Sequence, residues 1–285
     1  MIRIGKSFFE RNNGWTRLCA PVRIDERELT IWYSVPKDQE DALSSCCADP
    51  FVMLLLPAAM RSGNDLYAED PMSERLHFQL ENDLIPALCH AESLYHPICL
   101  HVPVTFKQFP AAKAVSTVFS NSADCLYTVY RHGTESEYPL THLAVFNTGF
   151  YKKKDIENSF LVDCRRCSDY AKKLGLKTVF VDSNLLDVLQ EKQTEVESFR
   201  LLSFALAIQG LVSVFLVSSV YPSESFSIDA RNVRLFDPLS VVCACTESTQ
   251  FYLSGAETDL LIKQREISHS EFSFSTGSSE GCQTE

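Results

Sequence analysis

The chain has 285 residues and a mass of 32.1 kDa, with 45% hydrophobic and 22% charged side chains, proportions that exclude collagenous and wholly disordered classes. Its 26 basic against 37 acidic residues leave a formal charge of −11, so general nucleic-acid binding through phosphate contacts is not expected. Glycine is scarce, only 10 residues with none between Gly63 and Gly133, so a nucleotide site in that interval has to be built without a glycine-rich loop.

In chain order, segments 16–24 (TRLCAPVRI) and 29–35 (LTIWYSV) read as a hairpin around Asp25–Glu28. Pro50–Ser62 is an apolar helix despite Pro57, ended by Gly63. Pro71–Glu92 sets Leu76, Phe78, Leu80, Leu84, Ile85 and Leu88 on a broad helix-compatible face, with Ser73 as a cap and Pro86 placed to kink or split the helix. Ile98–Phe106 is apolar and strand-like. These residues, 1–110, are expected to form a small α+β accessory domain without a catalytic constellation.

From Ala111 the pattern becomes strand, helix, strand. Strands are expected at Ala114–Phe119, His142–Phe146, Thr178–Val181 and Val212–Val220; helices at Ala123–His132, Ile156–Leu174, Leu185–Gln190 and Leu201–Gln209. This alternation implies βαβ units and a parallel, doubly wound sheet over 111–267. The run 199–220 is long enough to cross a bilayer, yet Arg200, Gln209 and Gly210 interrupt it, and a buried helix followed by a central strand is expected instead. The Ser-rich residues 268–285 are expected to be a flexible tail.

Ligands of such sheets sit at the carboxyl ends of the strands, which directs attention to Ser120–Cys125, Asn147–Gly149, Asp182–Asn184 and Ser218–Tyr221. At Ser120-Asn121-Ser122-Ala123-Asp124-Cys125 a strand runs through a polar turn into a helix. Hydroxyls and backbone N–H groups at such a turn suit an anion such as pyrophosphate, and Asp124 suits either a Mg²⁺ ion or a helix cap. A plain capped turn explains the same residues.

Several segments in series resemble the PP-loop ATP pyrophosphatases, the adenine nucleotide α-hydrolase-like family. SNSADC (120–125) stands where that family has SGGxDS. THLAVFNTGF (141–150) is similar to its second strand, TVFVDSNL (178–185) to its third, and RLFDPLS (234–240) to an HPLLDPLWS-type segment. FYLSGAETDLLIKQREIS (251–268) resembles the helix that follows, and the closest likeness is to the branch containing 7-cyano-7-deazaguanine synthase. The resemblance implies a Rossmann-like sheet of the HUP/PP-loop type carrying an N-terminal α+β accessory domain. It implies ATP with Mg²⁺, activation of a small-molecule or peptide carboxylate or carbonyl as an adenylate, and displacement of AMP by a nitrogen or sulfur nucleophile.

Carried over residue by residue, Ser120 and Asp124 become catalytic, with Asp124 the metal ligand. Ser120, Asn121, Ser122, Asp124, Cys125, Asn147, Asp182, Asn184 and Asp237 become nucleotide- or substrate-binding. Both loop glycines of the motif are here Asn121 and Ser122, its last serine is Cys125, and Arg234 stands where histidine is usual. The alternative is therefore a catalytically degenerate nucleotide-binding or regulatory partner subunit. No zinc is expected, because the branch's C-terminal cysteine cluster has no counterpart in these residues.

Eleven cysteines, an odd number, follow an N-terminus without an apolar leader; a cytoplasmic protein with buried thiols is expected, with no membrane attachment. Cys164 and Cys167 form a CxxC with two arginines between them. Their spacing with Phe160, Ala171 and Leu174 places both on the buried face of one helix. A redox site, or zinc shared with Cys243 and Cys245, are the weaker readings.

Overall fold

A computed structural model describes residues 1–44, 48–91, 93–106, 112–120, 123–133, 138–149, 156–185, 193–217 and 240–243. The expected helix beyond Leu185, the 234–240 segment except Ser240, the 251–268 segment and the tail lie outside these residues.

The N-terminal half opens with β1 (Ile2–Ile4), β2 (Phe8–Arg11), β3 (Trp15–Ile24) and β4 (Arg27–Pro36). The expected hairpin is the β3–β4 pair, in register from Trp15↔Pro36 to Ile24↔Arg27. Thr16, Leu18, Ala20 and Val22 on β3, with Ile31, Tyr33 and Val35 on β4, face one side and are buried, while Cys19 and Ser34 are buried from the other. The first of these sides is covered by α1 (Asp49–Ser62), which ends where expected, at Gly63 with φ 61°. The helix is apolar nearly all round because it lies between the sheet and a second helix, so eleven of its residues are buried.

The Pro71–Glu92 segment, whose Phe78 is exposed and not on the apolar face, takes the split form of the two expected at Pro86. It divides into α2 (Glu74–Gln79), a π-helical turn at Leu80–Leu84 and α3 (Ile85–Ala91). Pro86 has no N–H to return to the carbonyl of Asn82, and the widened turn accommodates that missing bond. Ser73 occupies the cap position with extended backbone but makes no side-chain cap bond. The strand expected over Ile98–Phe106 is broken at Pro103 into β7 (Leu100–His101) and β8 (Val104–Thr105); β8 pairs with β6 (Met72–Ser73), and β7 with β5 (Leu66–Ala68).

The second half supplies β9 (Ala114–Val118), α4 (Ala123–Arg131), β10 (His142–Phe146), α5 (Ile156–Leu174), β11 (Lys177–Ser183), α6 (Gln193–Ala207), β12 (Val212–Val217) and β13 (Ser240–Cys243). The helix expected over Leu201–Gln209 thus begins eight residues earlier, and β13 is a strand the sequence reading passed over. The described part of the run 199–220, residues 199–217, enters the core, as Phe199, Leu202, Phe204 and Phe215 show by their burial. Among the described residues no helix is long and apolar enough to cross a membrane.

The protein is mixed α/β, built on a large, mostly parallel central sheet to which the described residues contribute 11 strands. Five strands of the second half pair parallel to one another in the order β11-β10-β9-β12-β13. Numbered along the chain that is 3-2-1-4-5, an arrangement compatible with a Rossmann-like fold. The sheet does not stop there: β11 pairs antiparallel with β4 through Asp182↔Ser34 and Ser183↔Tyr33. One continuous sheet therefore spans the position, 110/111, where the sequence changes rhythm.

Side chains alternate across it. Ala144, Phe146, Val179, Val181 and Phe215 join α1 and α6 on one face, while Val115, Leu143, Val145 and Leu216 join α4 and α5 on the other. The two halves are clasped near the end of α6, where the Ser44 and Gly210 amides donate to Ala207 and Ala42 carbonyls at 2.7 and 3.1 Å.

Candidate functional site

β9 and β12 are neighbours where the strand order reverses, and the helices joined to them diverge to opposite faces, α4 following β9 on one side and α6 leading into β12 on the other. Such a divergence opens a crevice at the carboxyl ends of the strands. Ser120 stands there, exposed, two residues past the end of β9.

The turn is held from within. The Cys125 thiol donates to the Val118 carbonyl at 2.9 Å, and Cys125 Sγ accepts the Ser120 amide at 3.2 Å. Cys125 is buried among Leu126, Val129 and the α5 side chains. Its position in the motif is therefore a packing and turn-holding one, facing away from the crevice. Asp124 is the second residue of α4, at the end where a helix dipole favours an anion; its side chain lies outside the described residues, as do Asn121, Ser122 and Asp237.

The ends of β10 and β11 are joined directly. Asn147 Nδ2 donates to Asp182 Oδ1 at 2.7 Å, the Ser183 amide donates to the same oxygen at 2.8 Å, and Ser183 Oγ donates to the Asn147 carbonyl at 2.9 Å. Asn147 and Asp182 are thus brought together on the same edge as Ser120. Asn184 is turned elsewhere: its Oδ1 accepts the Trp32 amide at 3.0 Å, and its Nδ2 donates to the Thr30 carbonyl at 2.7 Å. Both ends of that amide are taken up in holding β4 against β11.

One residue of this edge was visible in sequence only as an interruption. Arg200, on α6, is 3% exposed and donates from Nη1 to the Thr148 carbonyl at 3.3 Å. A buried guanidinium beneath the loop after β10 brings positive charge to the carboxyl edge, where an anion would sit. A lone arginine in an otherwise apolar run was the available signal.

Cys164 and Cys167 lie on the buried face of α5, as their spacing implies. Burial, aided by the nearby Asp163 and Asp182 carboxylates, pushes the Cys164 thiol up to about 12, and burial pushes Cys167 higher still. Both stay protonated at neutral pH, the opposite of what a redox thiol needs. Among the described residues no three His, Cys, Asp or Glu side chains gather as metal ligands.

No family model, curated protein or solved structure matches this chain. The functional reading therefore rests on the residues and the sheet.

Proposed function

We propose that the chain binds ATP at the crevice between β9 and β12 and acts as an ATP pyrophosphatase-type adenylating enzyme of the PP-loop kind. Its substrate would be a small-molecule or peptide carboxylate or carbonyl. The observation that carries this reading is the 3-2-1-4-5 strand order with Ser120 at the end of its first strand. In that order the turn after the first strand is the phosphate position.

In this reading the Ser120 hydroxyl and the amides opening α4 hold the pyrophosphate, and Asp124 holds Mg²⁺ that arrives with the nucleotide. Asn147 and Asp182 line the neighbouring pocket, and the Arg200 charge offsets the triphosphate from below. Fixed donors of this type act by stabilising charge that develops on the leaving pyrophosphate. Calorimetric titration with ATP, with and without Mg²⁺, tests the binding. Saturable Mg²⁺-dependent binding, with pyrophosphate release lost in Ser120→Ala and Asp124→Ala, supports the assignment; silence at millimolar ATP removes it.

A second reading is favoured by one contact. The Ser120 amide already has an acceptor in Cys125, so the first N–H of the turn is not turned toward phosphate. On that reading the protein is a nucleotide-binding or regulatory subunit without catalysis. ATP binding unaccompanied by pyrophosphate release, across candidate acceptors, distinguishes it.

A further inference from the structure

A second concavity lies two strands from Ser120, roughly 10 Å at the usual ~4.8 Å strand spacing, where α5 leans over the seam between β11 and β4. It encloses about 380 Å³, within the usual size range of small-molecule sites. Its walls are largely apolar, with Trp15, Phe160, Leu161 and Phe180 around the carboxylate of Asp182. Trp15 is held in place from outside, because the Arg17 guanidinium stacks 3.9 Å from its ring and 4.0 Å from that of Trp32.

Asp182 is the unusual member. Both hydrogen bonds it receives, from Asn147 and Ser183, fall on Oδ1. They fix the carboxylate plane, while Oδ2 accepts no hydrogen bond from any described residue. No cation among the described residues forms an ion pair with it either. Arg165 also lines the groove but is exposed, where water and salt screen its charge. A half-buried carboxylate beside aromatic walls has lost part of its hydration and gains most from a charged N–H donor.

We propose that this groove binds a primary amine carrying a large apolar body, with the ammonium on Asp182 Oδ2 and the hydrocarbon between Trp15, Phe160 and Phe180. Asp182 repels anions, and the apolar walls offer nothing to a hydrated metal ion. Ammonia itself would leave the volume unfilled. Asp182 is shared with the pocket assigned to the adenylating reading, but amine binding needs no nucleotide at the β9–β12 crevice, so a test without ATP separates the two.

The test is made without ATP. The full chain is titrated with 4-phenylbutylamine and with the neutral 4-phenylbutanol, followed by calorimetry and by the fluorescence of its two tryptophans, Trp15 and Trp32. The amine should bind saturably and about tenfold more tightly than the alcohol, as a charge-assisted hydrogen bond implies. Asp182→Asn should abolish that preference. Leu161→Trp, at a half-exposed position on the rim, should weaken both ligands by filling the groove, and it keeps the test decisive if the Asp182 variant does not fold. Equal affinity for amine and alcohol, a preference that survives Asp182→Asn, amine binding unaffected by Leu161→Trp, or no saturable binding below about 10 mM would each overturn the proposal.

Discussion

The sulfur of Cys125 joins two backbone groups on either side of Phe119: it accepts the amide of Ser120 and donates to the carbonyl of Val118. One side chain thereby closes the turn between β9 and α4 and fills space in the core beneath it. Cys125→Ala removes both bonds and leaves a small void. The expected loss is about 1–3 kcal/mol, from buried backbone groups left without their sulfur partner and from the missing volume. Urea unfolding followed by circular dichroism measures it. Cys125→Ser, which keeps a donor and an acceptor at slightly shorter reach, should lose less.

Gly210 is fixed by proximity. A Cβ there would fall 2.6 Å from the Asp41 carbonyl oxygen and 2.9 Å from that of Ala42. Both obstacles are backbone, so neither can rotate away. Gly210→Ala should destabilise the protein by about 2–4 kcal/mol through strain at the clasp between the halves. A thermal melt that shifts by less than one or two degrees contradicts this account of the clasp.

His142 opens β10 and is buried, with Nδ1 2.9 Å from Thr141 Oγ1. Burial, and secondarily the charge of Lys177, hold its pKa below the ordinary 6.5. The unfolded chain therefore binds the proton more readily than the folded one, and stability falls as pH drops below about 6.5 toward the folded value. The urea midpoint should decline between pH 7 and pH 5, and His142→Gln should flatten that decline. An unchanged slope in the variant refutes the assignment.

Thiol labelling reads the cysteines directly. Cys99 is exposed, whereas Cys164 and Cys167 are buried and protonated. Iodoacetamide at pH 8 should modify Cys99 in the native state, and Cys164 and Cys167 only after denaturant is added. Rapid native labelling of either α5 thiol would revive the redox reading of the CxxC.

Much of the architecture was legible in sequence because it is written in periodicity. β10 and α5 begin and end at the expected residues, His142–Phe146 and Ile156–Leu174, since strand and helix there carry their own apolar pattern. What failed did so for tertiary reasons. The π-turn before Pro86 and the break at Pro103 depend on where freed backbone groups find partners. The join of β11 to β4 links residues about 150 positions apart, and no local pattern announces it. In the site, the grouping of Asn147 with Asp182 follows from strand ends. The commitment of Asn184 to Trp32 and Thr30 depends on that same long-range join.

The β11–β4 seam also orders events in time. During synthesis the β3–β4 hairpin exists long before Lys177–Ser183 leaves the ribosome, and until then β4 presents an unpaired edge. Open edges of this kind invite pairing with the wrong chain, and closing so long a loop is slow. The nascent N-terminal half is thus the part of the molecule most dependent on being finished, and its protection arrives only with the end of the third parallel strand.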